Sequence, residues 1–102
     1  MTARPRVRIL VWHGAADDRD ALEETYHKVS AELAGTPGLV GNELWRSATD
    51  PATYAIMSEW RDIESFNAWA DDPGQHLATA PLRRFRTAAD RAAEVYEVAA
   101  AH

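Results

Sequence analysis

Two runs decide the fold: Gly38-Leu39-Val40-Gly41-Asn42-Glu43-Leu44-Trp45-Arg46-Ser47 and, after Asp50-Pro51, Thr53-Tyr54-Ala55-Ile56-Met57-Ser58-Glu59-Trp60. Both are rich in aliphatic and aromatic residues, and an Asp-Pro turn separates them. They therefore read as a β-hairpin with strands Leu39 to Ser47 and Thr53 to Trp60. Strand alternation places Tyr54, Ile56, Ser58 and Trp60 on one face, the face that meets the helices, and Met57 on the other.

Upstream, Arg6 to His13 reads as the first strand, with Val7, Ile9, Val11 and His13 on one face and Arg8, Leu10 and Trp12 on the other. Asp17 or Asp18 caps a helix whose buried side carries Leu22, Thr25, Tyr26, Val29 and Leu33; Gly35 and Thr36-Pro37-Gly38 stop it. Downstream, Asp62 caps a second helix with Ile63, Phe66, Trp69 and Ala70 inward. Pro73-Gly74 interrupts that helix. A further helical stretch restarts near Pro81 with Leu82, Phe85 and Ala89, and Ala92 to Ala99 forms the last strand. The order βαββαβ predicts an α+β protein, a ferredoxin-like sandwich in one domain over residues 1–102, with loose tails at 1–5 and 100–102.

Length and composition narrow the function. The chain has 102 residues and is 46% hydrophobic, but twenty of its residues are alanine, so its core is thin for its size. The absence of cysteine excludes disulfide frameworks, thiolate metal sites and cysteine nucleophiles. The longest strongly apolar run, Ile9 to Trp12, is too short for a secretion signal or a membrane span, so a cytoplasmic protein without membrane contact is expected. A formal net charge of −5, with Arg83, Arg84 and Arg86 as the one basic cluster, argues against nucleic acid. Helices cover one face of such a sheet. Leu10, Trp12, Leu39, Trp45 and Met57 then form an apolar patch on the other, and a homodimer through that open face is expected.

The hairpin also resembles a known family. A Pro-Gly (Pro37-Gly38), a strand ending in Arg46-Ser47, the Asp50-Pro51 turn, a strand ending in Glu59-Trp60 and Phe66 six residues later resemble the antibiotic biosynthesis monooxygenases. The resemblance runs from Val7 to Val98. It implies a dimeric α/β barrel with a pocket in each subunit for a flat, apolar, polyaromatic substrate. It further implies oxidation of an anthrone-like or phenolic polyketide-type intermediate by O2 with no metal, flavin or haem. The same fold hosts cyclases, isomerases, haem-degrading enzymes and non-catalytic binding barrels, which stay as alternatives. In the haem-degrading branch the iron-ligating histidine falls at Thr79 and an asparagine stands on the first strand. Here no asparagine lies between Arg6 and His13, which disfavours that branch.

The resemblance points to His76 and Trp60 as catalytic residues. His76 lies where the family often places a pocket histidine, and a neutral imidazole can take a proton near pH 7; the alternative is a surface histidine. Trp60 matches the strand-ending tryptophan, and its N–H either meets a substrate oxygen or packs a structural tryptophan on the second helix. Tyr54 and Ser58 are candidate polar handles, and Phe66 and Trp69 candidate stacking platforms or core aromatics. Ile56 stands where some anthrone oxygenases carry asparagine, which makes Asn42, on the neighbouring strand, the candidate replacement. Arg86 is a candidate partner for a phenolate or carboxylate, and His13 for the pocket mouth. For both, a solvated position is the other reading.

Overall fold

A computed structural model describes residues 4–14, 18–86 and 93–102, with the backbone alone at Gln75 and His76. Its elements are β1 (Val7–Gly14), α1 (Arg19–Leu33), β2 (Leu39–Arg46), β3 (Thr53–Trp60), α2 (Ile63–Ala70), α3 (Pro73–Thr79), a 3-10 segment (Ala80–Phe85) and β4 (Glu94–Glu97). The sheet order is β2-β3-β1-β4 with every neighbour antiparallel, the ferredoxin-like arrangement.

Local chemistry explains the boundaries. Asp50 pins the hairpin turn, accepting from the Thr53 hydroxyl at 2.7 Å and the Ala52 N–H at 3.2 Å, while the Thr53 N–H donates to the Asp50 carbonyl at 2.9 Å. Asp18 caps α1 through the Ala21 N–H at 2.9 Å, and Asp62 caps α2 through the Ser65 N–H at 2.8 Å. Pro73-Gly74 does more than interrupt a helix. Asp72 accepts from the Gly74 N–H and Pro73 takes the first helical position, so a separate short helix, α3, starts there. The restart expected near Pro81 is a 3-10 segment instead; Leu82 and Phe85 are buried as expected, and Ala89 lies outside the described residues. The last strand is shorter than expected, and Ala92 is likewise outside the described residues.

One strand face differs from simple alternation. Leu39 pairs with Trp60 and Gly41 with Glu59, so Val40 is an extra residue in β2. This bulge resets the two-residue phase and turns Leu39 to the helix side, where it packs against Trp60 and its neighbours. Leu39 therefore does not belong to the open face. Leu10, Trp12, Trp45 and Met57 do, by register with one another across β1, β3 and β2. Met57 is already buried within the single chain, so the exposed apolar surface is narrower than expected; its most exposed side chains are Trp45 (42%) on β2 at one edge and Tyr96 (51%) on β4 at the other. Glutamates tie down its aromatics: Trp12 Nε1 donates to Glu94 at 3.0 Å and Trp45 Nε1 to Glu43 at 2.9 Å.

On the helix side the core forms two clusters. Leu22, Val29, Tyr54, Leu82 and Phe85 make one; Val7, Ile9 and Trp60, with Phe66 and Trp69 against them, make the other.

Two glycines offer a controlled test of the chain reversal before β2. Gly35 (φ +85°) and Gly38 (φ +81°) both need the left-handed region, but a Cβ at Gly35 meets open space, while at Gly38 it falls 2.3 Å from Ser65 Cβ. Ser65 is held by its hydroxyl bond to Asp62 at 2.7 Å and has little freedom to retreat. In urea titrations Gly35→Ala costs about 1–2 kcal/mol for the backbone alone. Gly38→Ala adds overpacking of about 1–3 kcal/mol to that.

Candidate active site

Between the two core clusters lies a cavity of about 340 Å³, bounded by the helix-side face of the sheet and by α1, α2 and the 3-10 segment. That is a volume suited to a small organic ligand. Ile9, Val11 and Ile56 form its apolar sheet wall.

At one end stand three aromatic rings. Trp60 lies 5.7 Å from Phe66, edge-on, and 5.3 Å from Trp69, tilted; Phe66 and Trp69 are 6.1 Å apart. All three line the cavity. Trp60 is only 2% exposed, and its N–H donates to Ser58 Oγ at 3.0 Å. The indole donor expected to reach a substrate oxygen is therefore engaged with Ser58. The Ser58 hydroxyl, accepting from Trp60, keeps its own hydrogen to donate.

Asn42 faces Ser58 across the β2–β3 ladder and lines the same cavity. Its Oδ1 accepts from Ser30 Oγ at 2.9 Å and from the Tyr26 hydroxyl. With both hydroxyls on the oxygen, the amide is oriented and its two N–H donors are left for other partners. Nothing in the sequence marks Tyr26 and Ser30 as site residues by residue type alone. Their signal was an i, i+4 pair of hydroxyls on the inward face of α1.

At the opposite end of the strands, His13 is buried (2% exposed) and lines the cavity, not a solvated strand terminus. Its Nδ1 lies 2.9 Å from the Val11 carbonyl. A carbonyl can only accept, so Nδ1 carries the proton and Nε2 presents its lone pair. Burial pushes the imidazole below its ordinary value of 6.5; the Val11 hydrogen bond opposes this, and the positive charge of Arg86 adds to it. Arg86, just past the 3-10 segment, makes an isolated antiparallel bridge to His13 and also lines the cavity, while remaining open to solvent.

The remaining candidates divide. Tyr54 does not line the cavity. It sits at the turn end of β3, packed with Leu22, Val29 and Phe85, and its buried hydroxyl has no hydrogen-bond partner among the described residues. The His76 side chain lies outside the described residues, although its backbone belongs to α3. Thr79 lines the cavity. Among the described residues no carboxylate does, and no three His, Cys, Asp or Glu side chains gather into a metal-binding group.

The sequence profile of the antibiotic biosynthesis monooxygenases matches residues 6–81. Protein SchA of Streptomyces halstedii is 32% identical over 81 residues, 78% of this chain and 21% of that protein. A 42.8 kDa protein in the whiE locus of Streptomyces coelicolor is 28% identical over 75 residues, 72% of this chain and 19% of that protein. The chain thus spans about a fifth of the length of the curated relatives it matches. Among solved structures, the cofactor-independent oxygenase SnoaB of Streptomyces nogalater superposes with a TM-score of 0.72 at 20% identity, covering 96% of this chain and 95% of that one. At that identity the likeness shows the fold. No helix among the described residues is long and apolar enough to cross a membrane.

The buried His13 makes stability depend on pH with a definite sign. Its folded value lies below 6.5, so above 6.5 neither state is protonated there and nothing is lost. As pH falls through 6.5 the unfolded chain takes up the proton first, and stability declines until the folded value is passed. The urea midpoint measured at pH 7.5 and again at pH 5.5 falls in the wild type. In His13→Asn, which keeps an N–H for the Val11 carbonyl, this component of the fall disappears.

Proposed function

This chain belongs to the antibiotic biosynthesis monooxygenase family, and from that premise we propose that it is a cofactor-independent monooxygenase oxidising a flat anthrone-like or phenolic compound of polyketide type. The observation that carries the reading is the cavity itself: an aromatic-walled slot with oriented neutral donors at one end and His13 beside Arg86 at the other. A fused-ring substrate stacks against Trp60, Phe66 and Trp69, and its carbonyl or developing oxyanion accepts from the Asn42 amide and the Ser58 hydroxyl.

The chemistry asked of the protein is modest. An ionised anthrone passes one electron to O2, and the carbon radical and superoxide recombine as a peroxide. Loss of water then converts the CH2 of the substrate to a carbonyl, one oxygen atom going to product and one to water. The side chains bind, orient and exclude bulk water, and the fixed donors stabilise negative charge as it forms on oxygen.

The reading includes a homodimer. The open sheet face holds Leu10, Trp12, Trp45 and Tyr96, and a second copy packed on it face to face removes this apolar surface from water. Sedimentation at micromolar concentration is expected to give twice the chain mass of 11.3 kDa; a monomer there refutes the pairing.

The direct test is O2 uptake by metal-free protein with a model anthrone, with the anthraquinone product quantified. Uptake above the spontaneous rate, at one O2 per quinone, is expected. Asn42→Ala, which removes a fixed donor, should slow it by about 10²-fold. Uptake no faster than without protein, across several anthrones, sinks the oxygenase reading, and tight binding without uptake identifies a ligand-binding barrel instead.

A further inference from the structure

The His13 end of the cavity is built differently from the Asn42 end. On β3, His13 faces Tyr54 and Asn42 faces Ser58, four residues apart, or about 13 Å along the strand. One continuous cavity touches both. A single-ring compound reaches one end, while a compound of several fused rings reaches both.

Three observations define what the His13 end accepts. First, the antiparallel bridge between His13 and Arg86 sets their side chains on the same face, with Cβ atoms about 5 Å apart. Second, Nδ1 of His13 is tethered to the Val11 carbonyl, and no described residue hydrogen-bonds Nε2, whose lone pair is left for a ligand. Third, no carboxylate pairs with Arg86 among the described residues and none lines the cavity, although the chain as a whole carries a net charge of −5. Among the described residues, the titratable groups facing His13 are Arg86 across the bridge and Tyr54 opposite it on β3, and Arg83 from the 3-10 segment and Tyr26 on α1 line the same cavity. A cation beside a buried base, with no carboxylate paired to it among the described residues, leaves room for an anion that the ligand brings.

We propose that His13 and Arg86 form an ionisation site, in which Nε2 of His13 takes the proton from an acidic hydroxyl of a fused-ring phenol and Arg86 holds the resulting phenolate. The O–H bond breaks, its electron pair stays on oxygen, and an Nε2–H bond forms while Nδ1–H stays on Val11. No oxidant takes part in this step. The phenolate then lies between imidazolium and guanidinium, where its charge offsets both cations. Burial together with Arg86 keeps the empty site in the neutral, proton-accepting form at pH 7. The inference deepens the oxygenase reading and rests on it for its biological meaning, since an ionised phenol or enol is the species that gives an electron to O2.

The test uses a probe that O2 cannot turn over. 2-Hydroxyanthraquinone is already fully oxidised and changes colour on ionisation, so its bound state is read by absorbance between pH 5 and pH 9. On the wild-type protein the ionisation midpoint of the bound probe is expected to fall by about one pH unit or more from its value in buffer. Arg86→Gln should return the midpoint to the buffer value or above it while the probe still binds. At pH 7 the His13 C2–H resonance of the wild type should move to the imidazolium position as the probe saturates. His13→Asn, checked for folding by circular dichroism, should abolish the lowered midpoint; the NMR readout needs no variant. A probe that stays protonated, fails to bind, or ionises while His13 stays neutral overturns the proposal. These outcomes are separate from O2 uptake. Phenolate formation in a protein that never consumes O2 leaves an ionisation site without an oxygenase, and turnover of anthrones without it puts deprotonation elsewhere.

Discussion

The eight-residue antiparallel ladder between β1 and β3, from Val7 opposite Trp60 to Gly14 opposite Thr53, is the constraint on which the rest of the structure depends. It is the centre of the sheet, with β2 on one side and β4 on the other. Its length sets the length of the cavity. At one end it places Trp60 beneath α2, so that Phe66 and Trp69 close on it. At the other it carries His13 to where the chain leaving the 3-10 segment passes with Arg86. Between them Ile9, Val11 and Ile56 present only hydrocarbon. The two polar ends are therefore held apart by backbone hydrogen bonds and not by side-chain contacts, which is a rigid way to space functional groups.

A cavity of this size leaves the side chains that wall it without packing partners on one side. An alanine-rich chain of 102 residues has few large side chains with which to fill the space. The cavity's polar walls are braced locally. Trp60 is held by Ser58, Asn42 by Tyr26 and Ser30, and His13 by the Val11 carbonyl. Each brace satisfies a polar group at the cavity wall and aims another atom of the same side chain or its partner inward. The same residues that brace the core thus also line the cavity. A tryptophan that packs the core also sets the direction of the serine beside it.

The strands carry opposite chemistry on their two faces. Toward the helices they bear His13, Asn42 and Ser58 with no carboxylate lining the cavity among the described residues. Toward the open side they bear Glu43, Glu59 and Glu94, bonded to Trp45, Arg8 and Trp12. The glutamates of the strands are thereby kept a sheet's thickness away from the cavity, and through a low-dielectric sheet such separation matters. The acidic net charge of the chain says nothing about the polarity of its pocket.

Much of this was legible from residues alone. Capping aspartates, the Asp50-Pro51 turn and strand alternation place β3 and the starts of α1 and α2 correctly, because those features depend on neighbours in sequence. The same local rules place Trp60, Phe66 and Trp69 together. They fail where one inserted residue or one distant contact intervenes. Val40 reverses the phase of β2, so Leu39 leaves the open face, a shift no alternation rule can see. Tyr54 shares a strand face with Ile56 and Ser58, yet α1 and the 3-10 segment bury it in the core beyond the cavity. His13 ends a strand, and its position in sequence leaves it between the pocket mouth and solvent until Arg86, more than seventy positions later, bridges to it. Sequence by itself determined the order of elements, the hairpin and the inward faces that carry Trp60, Phe66 and Trp69, since periodicity and turn chemistry act over a few residues. The tertiary structure decided that His13 is buried, that Arg86 stands beside it and that Asn42 is oriented by two hydroxyls. Burial and charge proximity depend on which distant segments meet, and no local pattern encodes that.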